Sequence, residues 1–296
     1  MRFSPPGFLL VVVMVAFVAA PTASPSQLLD ADASGVKLAV NNEGEALVTY
    51  TANGRQKRVL VWGAVNANAP VRGTKQIEFK LDYSGGYGKY HKTYWKTFGS
   101  TCLPYTGPAL AWKVAACDAP DGSHWALQGW QRGLLNYGVP SAGRNSSTEL
   151  RVSHWTGDLP VLSITTARDT ARDRIFGSYT VGGTGIFGFG ASSSGNPLDS
   201  FGRNVYLDTF DSAYGAGWKR ENSFLTHGPG GTFCYLFARH GSRPFGDGKK
   251  YRASVIGPGV MPDVAWEGVP VGPASAADKA RTVAAIKAMN DPACQP

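Results

Sequence analysis

Asn53-Gly54 stands between two β-branched stretches, residues 45–51 and residues 58–62. Asn-Gly in that setting is the strongest short hairpin signal, because both residues accept the positive φ that a two-residue turn requires. Residues 36–40 precede them across Asn41-Asn42-Glu43-Gly44, so the chain opens as a three-stranded antiparallel meander. Residues 76–83 alternate polar and apolar and extend the pattern as a fourth strand.

Further strands are expected at residues 110–114, 125–130, 149–154, 160–164, 175–181, 204–208, 231–238 and 250–256, with one helical turn at residues 169–174. The 37 glycines and 19 prolines suit short strands joined by turns. One helix is expected near the end, where Ser275 is placed as N-cap, Asp278 follows in the first turn, and Val283, Ile286 and Met289 form an apolar stripe to dock on a sheet. The fold class is therefore all-β, an antiparallel sandwich-like domain of many short strands with one short C-terminal α-helix.

The N-terminus is read as an export signal. Arg2 is followed by a charge-free apolar run from Gly7 to Ala20 and then by small, turn-forming residues. As a helix that run spans roughly 21 Å, short of a hydrocarbon core of about 30 Å. Residues 1–24 are assigned to the signal, with cleavage placed between residues 20 and 33. Residues 25–273 form the β-rich domain and residues 274–296 the helix and tail. The Gly-, Ser- and Pro-rich stretch 138–147 is the candidate internal boundary. No later apolar run is long enough to span a membrane, so a secreted, extracellular protein is expected.

Four cysteines in an oxidising compartment favour two disulfides. The pairing expected is Cys102–Cys117, which closes a short loop, and Cys234–Cys294, which ties the tail to a strand. No Cys or His spacing suggests a zinc site, and Asp199, Asp208 and Asp211 lack the loop pattern of a calcium site, so no metal and no cofactor is assigned. Gly183-Thr184-Gly185-Ile186-Phe187-Gly188 fits a dinucleotide fingerprint by letter, but the Ser-, Gly- and Pro-rich stretch after it cannot be the required helix. The net charge of +8 is scattered, with no basic helix or nucleic-acid reader motif, and suits approach to an anionic surface polymer.

Catalytic motifs are weak. His154 and His227, with Asp158, Asp208 or Asp211, offer only chance combinations for a serine hydrolase. Glu149, Asp158, Asp208, Asp211 and Glu221 are the carboxylates available to a glycoside hydrolase. Aromatic loading in polar surroundings is the more unusual feature. Tyr83, Tyr87, Tyr90, Tyr94 and Trp95 are mixed with Lys89, His91, Lys92 and Lys96. Trp125 and Trp130 flank Gln128, and Tyr214 and Trp218 share a glycine turn with Lys219 and Arg220. Most aromatic side chains belong in cores. Glycines and lysines place residues 87–95 on the surface instead, so Tyr87, Tyr90, Tyr94 and Trp95 are the expected ligand-binding residues. The leading expectation is non-catalytic binding of an extracellular or cell-wall glycan. The alternatives are a secreted glycoside hydrolase and a structural or protein-binding envelope protein.

Overall fold

The computed structural model describes residues 26–68, 77–134, 147–169, 172–185, 205–222, 232–237, 239, 244, 246–256, 259–269 and 275–289. The expected signal segment, the stretch 138–146, Asp199, His227 and Cys294 lie outside them.

The N-terminal half holds β1 (Gln27–Ala31), β2 (Ser34–Val40), β3 (Glu45–Ala52), β4 (Arg55–Trp62) and β5 (Lys80–Asp82). Two short helical turns follow, α1 (Tyr87–Tyr90) and a 3-10 turn at Tyr94–Lys96. Then come β6 (Leu103–Pro104), β7 (Lys113–Asp118), β8 (His124–Gln131) and β9 (Thr148–Trp155). The other half holds β10 (Val161–Asp169), β11 (Arg172–Val181), β12 (Thr184–Gly185), β13 (Val205–Ser212), β14 (Gly215–Asn222), β15 (Thr232–Leu236), β16 (Lys250–Val255), β17 (Val264–Gly268) and α2 (Ala276–Met289).

Four antiparallel sheets result. β2-β3-β4-β5 and β1-β9-β8-β7-β6 enclose one core; β14-β13-β16-β17 and the sheet of β10, β11, β12 and β15 enclose a second. The first core packs Val48, Tyr50, Val59 and Val61 against Trp125, Leu127, Leu150 and Val152. The second packs Ile175, Tyr179 and Phe233 against Val205, Leu207, Tyr251 and Ala253. Smaller clusters of Trp155 with Met261, and of Trp130 with Tyr206 and Ile256, join the halves. The all-β, sandwich-like reading holds. Asn53 and Gly54 both have positive φ at the β3–β4 turn, as the hairpin requires.

Several local expectations are corrected. Of residues 169–174, Asp169 and 172–174 are strand rather than helical turn: β10 and β11 pair as far as Asp169 opposite Arg172, and ladder hydrogen bonds outweigh the local helical preference. The strand expected at 110–114 begins only at Lys113, because Trp112 takes a positive φ in a turn. The strand expected at 76–83 is confined to Lys80–Asp82 among the described residues. Within the window expected for cleavage, Ser26 is fully buried and Gln27–Ala31 pairs with β9. The strands flanking residues 138–147, β8 and β9, are neighbours in one sheet. The glycine turn around Trp218 is a full strand, β14, on β13.

The C-terminal helix forms where expected and lies against β10. Val283, however, is 65% exposed and takes no part in that docking. Residues three apart step by about 60° around a helix, so a series at that spacing drifts off one face. Cys102–Cys117 is bonded, with Cα atoms 5.5 Å apart. Cys234 is also in a disulfide; its expected partner, Cys294, lies outside the described residues. No helix among the described residues is long and apolar enough to cross a membrane.

Candidate functional site

Alternation along β3 and β4 turns Val48, Tyr50, Val59 and Val61 into the core and leaves Glu45, Leu47, Gln56, Arg58, Leu60 and Trp62 on the opposite face. Leu47 and Leu60 are nevertheless buried, because the segment from Tyr83 to Phe98 folds over that face. Two glycines let it approach. Gly86 has φ of 105°, and a Cβ there would lie 2.6 Å from that of Tyr94. Gly85 sits against both Arg58 and Trp95, and its carbonyl accepts from the Trp95 amide. The Asp82 carboxylate then fixes the start of α1 by accepting from the Ser84 and Lys89 amides.

The expected ligand-binding aromatics divide sharply. Tyr90 and Tyr94 point inward and donate their hydroxyls to the Glu45 carboxylate, which is almost inaccessible. Lys89 pairs with the same carboxylate and lies 4.3 Å from the centre of the Trp62 ring. Asn41 Nδ2 donates to it at 3.0 Å. Burial pushes the Glu45 carboxyl up, but the hydrogen bonds from Lys89, Tyr90 and Asn41 outweigh it and hold the group below its ordinary range. Burial and then contact with Glu45 push both tyrosine hydroxyls up to about 12, so they remain donors. Tyr87 is 58% exposed and stands apart.

Trp95 faces a different neighbour. The Arg58 guanidinium stacks over its ring at 3.9 Å, and Lys96 lies 5.4 Å from the same ring. An open groove of about 400 Å³ runs here, lined by Gln56, Lys57, Arg58, Tyr83, Ser84 and Trp95. A bridge between Arg58 and Ser84 brings the two chain segments together. Tyr83 presents 56% of its surface. Lys57 pairs with Asp30 at 2.5 Å, whereas Arg58 gives Nη2 to Gln56 and has no carboxylate partner among the described residues. The groove therefore offers one ring face, one indole-backed guanidinium and several hydroxyl and amide groups, with no carboxylate in its lining.

The remaining candidates serve the architecture. Glu149 pairs with Arg132 and Arg151. Asp208 lies between Arg220, at 2.6 Å, and Arg252, at 2.8 Å. Glu221 is buried beside the hydroxyls of Tyr214 and Tyr235. Asp158 is exposed, and Asp211 pairs with Lys249 at 3.2 Å. His154 meets none of the aspartates proposed as partners. Its ring stacks on Trp125 at 3.8 Å, with Nδ1 on the Ala64 carbonyl and Nε2 2.8 Å from the Ser123 hydroxyl. Burial lowers its pKa to about 4, so it is neutral at physiological pH. No group of three or more His, Cys, Asp or Glu among the described residues is placed to hold a metal. Trp125 and Trp130 are core residues.

Of the residues lining the groove, Trp95 is one of the four expected for ligand binding and Tyr83 is noted only within the aromatic cluster, whereas Arg58 and Gln56, like the buried Glu45, were not singled out. The period-two spacing of Gln56 and Arg58 was the available signal, since it places both on one face of a strand whose other face is core. Comparison with protein-family models, curated proteins and solved structures finds no match.

Proposed function

We propose that the protein is exported and binds an extracellular or cell-wall glycan without catalysis, through the groove of Tyr83, Trp95 and Arg58. The observation that carries this reading is the partially exposed Tyr83 ring beside a guanidinium held over an indole and lacking a carboxylate partner among the described residues. A sugar has apolar ring faces and hydroxyl edges, which suit an aromatic plane flanked by hydrogen-bonding groups. The planar guanidinium matches the geometry of a carboxylate or other oxyanion on an acidic polymer. The apolar leader and the oxidised cysteines fit an extracellular setting.

Retention of the purified protein on insoluble cell-wall polysaccharide and on a polygalacturonate gel tests this. Tyr83→Ala and Arg58→Gln should each weaken retention roughly tenfold, the loss of one good contact. Tyr87→Ala, an exposed ring outside the groove, should leave it unchanged. Full retention by a folded Tyr83→Ala, Arg58→Gln double variant would refute the assignment.

A further inference from the structure

Given that the groove binds glycan, as proposed, we infer that its ligand is acidic, a polymer carrying an oxyanion on successive sugar units, and that Lys96 joins Arg58 in reading the charge. The donors and acceptors left for a ligand, once the protein's own hydrogen bonds are counted, are unequal. The Ser84 hydroxyl donates to the Asp82 carboxylate and accepts from the Gly88 amide at 2.8 Å. The Tyr83 hydroxyl donates to the Leu29 carbonyl at 3.4 Å. The Gln56 carbonyl accepts from Arg58 Nη2, and Lys57 is tied to Asp30.

The groups that remain are N–H donors. The Gln56 amide nitrogen, the rest of the Arg58 fork and the Lys96 ammonium have no hydrogen-bond partner among the described residues. Two of these three are cations, and no carboxylate lines the groove. A neutral sugar hydroxyl both donates and accepts, so against such a wall its own hydrogen meets few acceptors. A carboxylate or sulfate only accepts, and each of its contacts with Arg58 or Lys96 is charge-assisted.

The two cations also crowd one ring. Arg58 lies 3.9 Å and Lys96 5.4 Å from the centre of the Trp95 indole, and Lys96 follows Trp95 in the 3-10 turn with its side chain exposed. The indole face offsets part of their mutual repulsion. Anions on neighbouring sugar units offset more of it, one charge against each cation, while Tyr83 remains the platform for a sugar ring. Lys57 adds little to this demand, because Asp30 already answers its charge at 2.5 Å.

Binding isotherms at physiological salt on surfaces coated with polygalacturonate, its fully methyl-esterified form, dextran sulfate or unsubstituted dextran test the inference. Polygalacturonate should bind at least about tenfold more tightly than the ester, which keeps the sugar and loses the charge. Lys96→Gln should weaken binding to polygalacturonate about threefold and leave the ester unaffected. Lys250→Gln removes the same charge from an exposed residue of the other half and should change neither. Tight binding to dextran sulfate as well would make the seat one for oxyanions in general; tight binding to polygalacturonate alone would assign it to carboxylates. Equal affinity for the acid and ester forms would overturn the charge class and leave glycan binding standing. Absence of binding to all four surfaces would sink glycan binding itself, and the charge class with it. Equal losses in Lys96→Gln and Lys250→Gln would also overturn the inference, since the attraction would then belong to the net charge of +8 as a whole.

Discussion

Glu45 in the N-terminal pair of sheets and Asp208 in the C-terminal pair are both nearly inaccessible carboxylates, but their partners differ in kind. Glu45 is held by one amine, two phenols and an amide; three of the four are neutral donors, and Lys89, Tyr90 and Tyr94 come from a short covering segment. Asp208 is held by two arginines on its own neighbouring strands, and these are themselves wrapped by Trp130, Tyr206 and Trp218. Neutral donors that lose their acceptor can turn to other groups. Two desolvated guanidinium groups that lose theirs cannot discharge, so the C-terminal half depends far more on a single residue.

The largest expected effect breaks that dependence. Asp208→Ala strands Arg220, 2% exposed, leaves Arg252, 7% exposed, with only Glu267 at 3.6 Å, and should cost about 3–5 kcal/mol in denaturant unfolding. A loss under about 1 kcal/mol would show that the aromatic wrapping, rather than the carboxylate, supports the two cations.

Acid probes the other half. His154 is neutral when folded and its pKa is lowered from 6.5 to about 4 by burial, while the unfolded chain takes up a proton near the ordinary value. Its contribution is therefore complete above pH 6.5 and is lost as pH falls toward 4, by roughly 3 kcal/mol at the lower limit. Hydrogen exchange should show β8 and β9 losing protection before β13 and β16, and His154→Gln should flatten the pH dependence. Simultaneous loss in both halves would mean that the joining clusters couple the two cores into one cooperative unit.

A smaller effect tests packing in the C-terminal core without touching charge. A Cβ at Gly177 would lie 2.2 Å from the Phe233 ring and 2.8 Å from Ile164, so Gly177→Ala should cost about 1–3 kcal/mol by overpacking. The Glu45 cluster lies in the other half and should keep its tyrosine absorbance unchanged. Spectral change there would show strain passing between the halves.

Legibility in the sequence followed the range of each interaction. The β3–β4 hairpin was readable because Asn53 and Gly54 carry the turn conformation within themselves. The Cys102–Cys117 bond was readable because it closes a local loop. β1 was hidden within the expected cleavage window, because nothing in Gln27–Ala31 announces its partner more than a hundred residues away in β9. At the candidate site, Trp95 stood out by composition. Its stacking partner Arg58 comes from a strand 37 positions earlier, and no pattern connects the two. Tyr90 and Tyr94 looked like surface rings because glycine and lysine surround them. Gly85 and Gly86 instead allow the segment to close on β3 and β4, turning both hydroxyls toward Glu45.

The sequence by itself determined the strand-and-turn grammar, the antiparallel class and the local disulfide, all governed by backbone preferences and contacts between near neighbours. Only the tertiary structure decided which aromatic rings are core, which carboxylates are locked to arginine, and which cation faces an open groove. Those outcomes depend on strand register and on the packing of distant segments. In a β fold, moving the register by one residue exchanges the two faces, so the same letters can specify either a buried strut or an exposed binding group.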